Sequence, residues 1–180
     1  MKWPVNWRTR KICRRIDVAT GKILIVTGMQ SGLVDNPTRI ACRDSVVNSI
    51  RRLISDVSWY RIRFVVDYGV DGSHSIIKEL EPFSGSVLGS KSIGDPNIVQ
   101  TIRMAMDGSS WSTGNLDGIG YDLHIVGATA SCQVLATAAI LRSEFPNAKV
   151  TVHSKCIGDS DFNRKNAALV CLESMNCEVI

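Results

Sequence analysis

Apolar positions recur along this chain in two rhythms that alternate. Lys22–Thr27 (KILIVT) and Arg61–Val66 (RIRFVV) are short, β-branched apolar runs of the kind found in strands buried on both faces. Between them, Asp44–Asp56 sets Val46, Val47, Ile50, Leu53 and Ile54 at helical spacing, which gives one apolar stripe on a polar helix. Val87–Gly89 reads as a weaker third strand, and Pro96 opens a helix carrying Ile98, Val99, Ile102 and Met106. Asp122–Val126 (DLHIV) is the next strand, and an Ala- and Leu-rich helix runs from it through Arg142. Lys149–His153 (KVTVH), a helix over Asp161–Met175 and a closing strand at Glu178–Ile180 complete the series. Strands alternating with helices predict a three-layer α/β/α domain, doubly wound around a mostly parallel sheet of about six strands. Right-handed crossovers then place the functional crevice at the carboxyl ends of the strands. No repeat or low-complexity tract is present, and Gly108–Gly120 (GSSWSTGNLDGIG) is the one long Gly/Ser-rich loop.

Composition sharpens this picture in two places. At 180 residues and 44% hydrophobic, the chain can bury one core and is short for two domains. No apolar run approaches the roughly 20 residues that span a bilayer, so no membrane segment is expected. The six cysteines lack paired C-x-x-C spacing, which points to reduced thiols and a cytoplasmic location rather than to disulfide staples. The net charge of +4 is unevenly spread. Lys2, Arg8, Arg10, Lys11, Arg14 and Arg15 fall in the first fifteen positions with no acid among them, and the remainder is slightly acidic. Residues 1–20 therefore read as a basic arm ahead of a domain at 21–180. The arm has no apolar stretch of the secretory type. Trp3 and Trp7 interleave with its charge, an arrangement that suits a phosphate backbone with stacked bases, or equally a groove on the chain itself or on a partner.

The strand ends carry motifs in a recognisable order. ILIVTGMQSGLV (Ile23–Val34) has the form of an apolar strand followed by an Asp-Met-Gln turn, with glycine in the Asp place. SKSIGDPNI (Ser90–Ile98) supplies a lysine after the third strand, and IVGATASCQVLATAA (Ile125–Ala139) is similar to a G-x-x-T-x-x-C-V-x-x-T-A turn. Lys149–Ile180 adds a strand, an Asp/Ser turn and a helix containing Ala167–Leu169. Over residues 22–180 the chain resembles the isochorismatase-like cysteine hydrolases, the group that includes the nicotinamidases.

The resemblance implies a particular chemistry. An aspartate at the end of the first strand takes the proton of a cysteine thiol, and a lysine helps to hold the thiolate and the substrate. The cysteine, at a helix start, attacks a carbonyl carbon. Here Gly28 stands at the aspartate position and offers no base. Counted without gaps from Gly127, Gln133 occupies the cysteine position and Thr137-Ala138 matches the Thr-Ala pair. Cys132 is one residue early, a slip that turns a helical side chain by roughly 100°. Thr129 and Cys132 nevertheless keep the Thr-x-x-Cys spacing, so Cys132 stands either as a slid nucleophile or as a small buried residue packing the helix start. Lys91 falls at the lysine position. The metal-binding members carry a D-x-H turn, of which Asp67-Tyr68-Gly69 keeps only the aspartate. His74, in a GSHS stretch, adds too few ligands for a zinc site. His124 and His153 have no partner at ligand spacing, and neither a metal nor a cofactor is expected.

These residues define the expectations. The leading one is a catalytically inactive, pseudoenzyme form of the hydrolase fold, serving as a binding or protein-interaction module. The alternative is an active hydrolase of a small amide or isochorismate-like substrate that uses Cys132 and Lys91, with Asp35 or Asp67 as a substitute acid. A third is a nucleic-acid-associated protein led by Trp3, Trp7, Arg8, Arg10, Lys11, Arg14 and Arg15. The pocket should lie between Gly28, Lys91, Ser131 and Gln133, where helix-start amides and the Gln133 amide would suit a small anion. A second copy of the chain or a protein partner is the expected companion.

Overall fold

The computed structural model describes residues 22–35, 40–68, 74–85, 87–90, 99–100 and 120–180, with 87–90 described through their backbone alone. The basic arm, Lys91, Gly69, most of the helix opened by Pro96 and nearly all of the Gly108–Gly120 loop lie outside these residues. The strands are β1 (Lys22–Thr27), β2 (Arg61–Asp67), β3 (Val87–Ser90), β4 (Asp122–Ala128), β5 (Lys149–Gly158) and β6 (Glu178–Val179). The helices are α1, a single turn at Ser31–Val34, then α2 (Arg43–Asp56), α3 (Leu135–Glu144) and α4 (Phe162–Ser174).

The sheet runs in the order β3-β2-β1-β4-β5-β6, and every pairing within it is parallel. The chain thus winds outward from β1 in one direction and, from β4, in the other. The carboxyl ends of β1 and β4 are the switch point where a doubly wound sheet opens a crevice. Alternation along the strands builds the three layers. Ile23, Ile25, Leu123, Ile125, Val150 and Val152 face Val134, Ala138, Leu141, Phe145, Ala168 and Leu172 from α3, α4 and the turn before α3. Leu24, Val26, Phe64 and Val126 face Val46, Val47, Ile50 and Ile54 of α2 on the opposite side.

The predicted elements recur with small shifts at their ends. The Asp161–Met175 helix is α4, with Asp161 as its cap: its carboxylate accepts a hydrogen bond from the Arg164 amide at 2.9 Å. Beyond it, Asn176 takes the left-handed conformation (φ 58°) that ends the helix. β5 is the larger departure, running five residues past His153. Ile125 pairs with Val152, but Gly127 pairs with Ile157, so residues 153–156 are extra length bulged out of the ladder. Among the described residues, no helix is long and apolar enough to cross a membrane.

Candidate functional site

At the switch point the ends of β1 and β4 press together. Gly28 follows β1 directly, with φ +65°, and its amide donates to the Val65 carbonyl at 2.9 Å. A Cβ added to it would overlap the Ala128 carbonyl group of the neighbouring strand. Gly127 answers from β4 (φ +128°), where a Cβ would overlap the Thr27 carbonyl. Neither site tolerates a side chain on this backbone, because both the left-handed conformation and the space exclude it.

The turn after β1 is fixed by Gln30, which is fully buried. Its Nε2 donates to the Asp67 carbonyl oxygen at 2.9 Å, and its Oε1 accepts from the Asp67 amide at 2.7 Å. One side chain thereby ties the ends of β1 and β2 together. The Met29 carbonyl accepts from the Ile77 amide at 3.2 Å, and the Ser31 amide donates to the Ser75 carbonyl at 2.8 Å.

On the β4 side, the chain leaves the strand through a cis Ala128–Thr129 peptide and enters a wide turn at Ala130–Val134. The turn closes through a Val134 amide that donates to the Thr129 carbonyl, five residues back, at 3.1 Å. Two amides that such a turn would offer to an anion already have partners within the chain. Gln133, buried, accepts at Oε1 from the Thr129 amide at 2.9 Å and from the Thr129 hydroxyl at 2.7 Å. Asp159, 3% exposed, accepts at Oδ2 from the Ser131 amide at 2.7 Å. Its other oxygen accepts from the Ser160 amide at 2.7 Å and from the Ser160 hydroxyl at 3.3 Å.

Sequence comparison finds no matching family model and no match among curated proteins. The structure is more informative. An isochorismatase-like hydrolase from Alkaliphilus metalliredigens superposes with a TM-score of 0.66 at 13% identity, covering 88% of this chain and 86% of that one. A nicotinamidase from Staphylococcus aureus gives 0.63 at 16% identity, over 89% and 98% of the two chains. The MAR1 ribonuclease from Caenorhabditis elegans gives 0.62 at 14% identity, over 88% and 76%. The chain has the isochorismatase-like fold. Likeness at these identities carries the fold and leaves the chemistry to the residues in the site.

Within the isochorismatase-like fold, Gly28 lies at the end of β1 against β4, Ser131 and Gln133 lie in the turn after β4, and Lys91 lies outside the described residues. Cys132 requires a correction to the reading of it as a buried filler. Its side chain is exposed, and it lines an open groove of about 370 Å3 with Thr129, Ser131, Asp159, Ser160, Asp161 and Arg164. The buried direction belongs to Gln133, the next residue of the turn. Of the candidate substitute acids, Asp35 is held in an ion pair with Arg43 at 2.7 Å, and Arg43 also reaches Glu79 at 3.0 Å. Asp67 is buried beside Gln30, and the His74 ring packs edge-on against Tyr68 at 4.9 Å.

Asp159 and Gln30 are the site residues that sequence reasoning passed over. The Gly158-Asp159-Ser160 turn was visible as an Asp/Ser turn, but its tie to Ser131 crosses 28 positions and has no local signature. His124 and His153 also meet without any ligand spacing to announce it. His124 Nδ1 and His153 Nε2 are 2.9 Å apart, and the Trp59 ring packs edge-on against His124 at 5.0 Å. This pair sits toward the amino-terminal end of the sheet, away from the crevice. Among the described residues no group of three or more His, Cys, Asp or Glu is placed to hold a metal ion.

Proposed function

We propose that this protein is a catalytically inactive isochorismatase-like domain that acts by binding, to a ligand or to another protein, rather than by cysteine hydrolysis. The observation that carries this reading is Gly28. The general base of the hydrolases that the sequence resembles would stand there, and the backbone of β4 occupies the space that its side chain would need. Gln133 supports the same reading, since a buried carboxamide bonded to Thr129 fills the place of the nucleophile. The two changes remove the base and the attacking sulfur together.

A second reading keeps some support, because Cys132 opens onto its own groove beside Arg164. A cysteine acting there would need a base from a residue other than Gly28, which has no side chain, and Asp159 and Asp161 line the same groove. Ammonia release from nicotinamide and simple aliphatic amides, and pyruvate release from isochorismate, distinguish the two. The expected result is release no faster than buffer, with Cys132→Ala indistinguishable from the parent protein. Turnover that Cys132→Ala abolishes would overturn the proposal. The nucleic-acid reading rests on the basic arm alone. It requires affinity for DNA or RNA that falls steeply with salt and is lost when residues 1–15 are removed.

A further inference from the structure

A second cavity adjoins the Cys132 groove and shares Asp159 and Asp161 with it. It encloses about 340 Å3 between the start of α2, the extended end of β5 and the first turns of α4. Ala41, Val46 and Ile157 give it apolar walls, and Phe162 lines it while remaining 72% exposed. Two amines reach it: Lys155, from the bulged length of β5, and Lys165, from α4.

The acids that border this cavity are engaged elsewhere. Asp159 spends its carboxylate on Ser131 and Ser160. Asp161 caps α4 and lies 3.6 Å from the Arg164 guanidinium. Lys165 is half-buried and has no carboxylate within ion-pairing distance among the described residues. Burial pulls its amine below the ordinary lysine range, and the nearby Cys156 and Cys42 thiols offset this only in part. A half-buried cation without a counter-ion is a cost that the fold carries until an anion arrives. Apolar walls exclude a bare, strongly hydrated ion such as phosphate as the preferred guest.

We propose that this cavity binds a small monocarboxylate with an apolar body, its carboxylate on Lys165 and Lys155 and its body against Val46, Ile157 and Phe162. The site is separate from the β1–β4 crevice, and it stands whether or not Cys132 has any activity.

Benzoate is a suitable probe, titrated into the full chain and followed by amide chemical shifts. Saturable shifts are expected at Ala41, Val46, Ile157 and Lys165. Benzyl alcohol, with the same ring and no charge, should bind at least about tenfold more weakly, and so should inorganic phosphate. Lys165→Met should weaken benzoate at least about tenfold without lowering the unfolding midpoint, because it removes a half-buried charge that has no ion-pair partner among the described residues. Should that variant fail to fold, Ser49→Phe fills the cavity from α2 with both lysines intact and should abolish the shifts. The proposal is overturned if benzoate gives no saturable shift, if benzyl alcohol or phosphate binds equally well, if the shifts map to the Cys132 groove, or if both variants bind as the parent does.

Discussion

Gly28 sits where the backbone leaves no room for a Cβ. Replacing it with aspartate does not rebuild a catalytic base, because the side chain must displace the Ala128 carbonyl while the backbone holds φ +65°. Gly28→Asp and Gly28→Ala should each lower unfolding free energy by about 2–4 kcal/mol in urea titrations, and Gly28→Asp should gain no amide hydrolysis. Gln30 makes the complementary case for a side chain that must stay. Gln30→Ala removes both hydrogen bonds that tie Gln30 to the Asp67 backbone and should cost about 2–3 kcal/mol by the same titration. An unchanged unfolding midpoint would show that the β1–β2 tie contributes little. These two residues also mark how far the sequence could be read. Gly28 and Gln133 were legible as departures from a motif. The partners of Gln30 and Asp159 were not, since a hydrogen bond across 37 or 28 positions leaves no mark on local spacing.

At the scale of elements, the extended β5 sets up a pH response. Its bulge carries His153 against His124 of β4, with Asp122 Oδ1 3.1 Å from His124 Nε2 but out of line for a hydrogen bond. Burial, then the neighbouring ring, holds His153 down to about 4. Burial likewise depresses His124, outweighing the pull of Asp122. Lys22 and Lys149 disfavour protonation of this pair, while Asp122 and Glu178 favour it. The unfolded chain takes up these protons near 6.5 and the folded chain only at lower pH, so stability is full above 6.5 and falls as pH drops toward 4. His153 should account for about 1–2 kcal/mol over that window, allowing for its partial exposure, and His153→Gln should flatten it. A distinct acid limb lies lower. Lys149 and Arg43 depress Glu178 and Glu79, whose contributions are lost as pH falls below about 4.5. Urea midpoints measured from pH 4 to 8 check this, and an identical slope in parent and His153→Gln would refute it. Helix ends were easier to read than this bulge. Asp161 announced the start of α4, and Asp161→Ala should cost about 1 kcal/mol. β5 outran its expected end because the bulged residues 153–156 break the alternation that would have signalled a strand.

For the whole molecule, alternating apolar periods were enough to give a doubly wound, mostly parallel sheet of about six strands, because such a sheet buried on both faces has few ways to connect. What periodicity could not give is which side chains converge at the switch point. There the Ala128 carbonyl closes over Gly28, the Gln133 carboxamide bonds Thr129, and Cys132 turns out to the surface. The fold is isochorismatase-like, and the proposed loss of its hydrolytic chemistry is what remains to be tested. The direct test is competitive alkylation of the folded protein with a trace of iodoacetamide at pH 7, mapped cysteine by cysteine. An activated nucleophile should outpace an ordinary exposed thiol by about tenfold or more. Cys132 is expected to react at a rate comparable to that of Cys171, which is also exposed. Modification of Cys132 at least about tenfold faster than Cys171 would contradict the inactive reading and place a working nucleophile in the Arg164 groove.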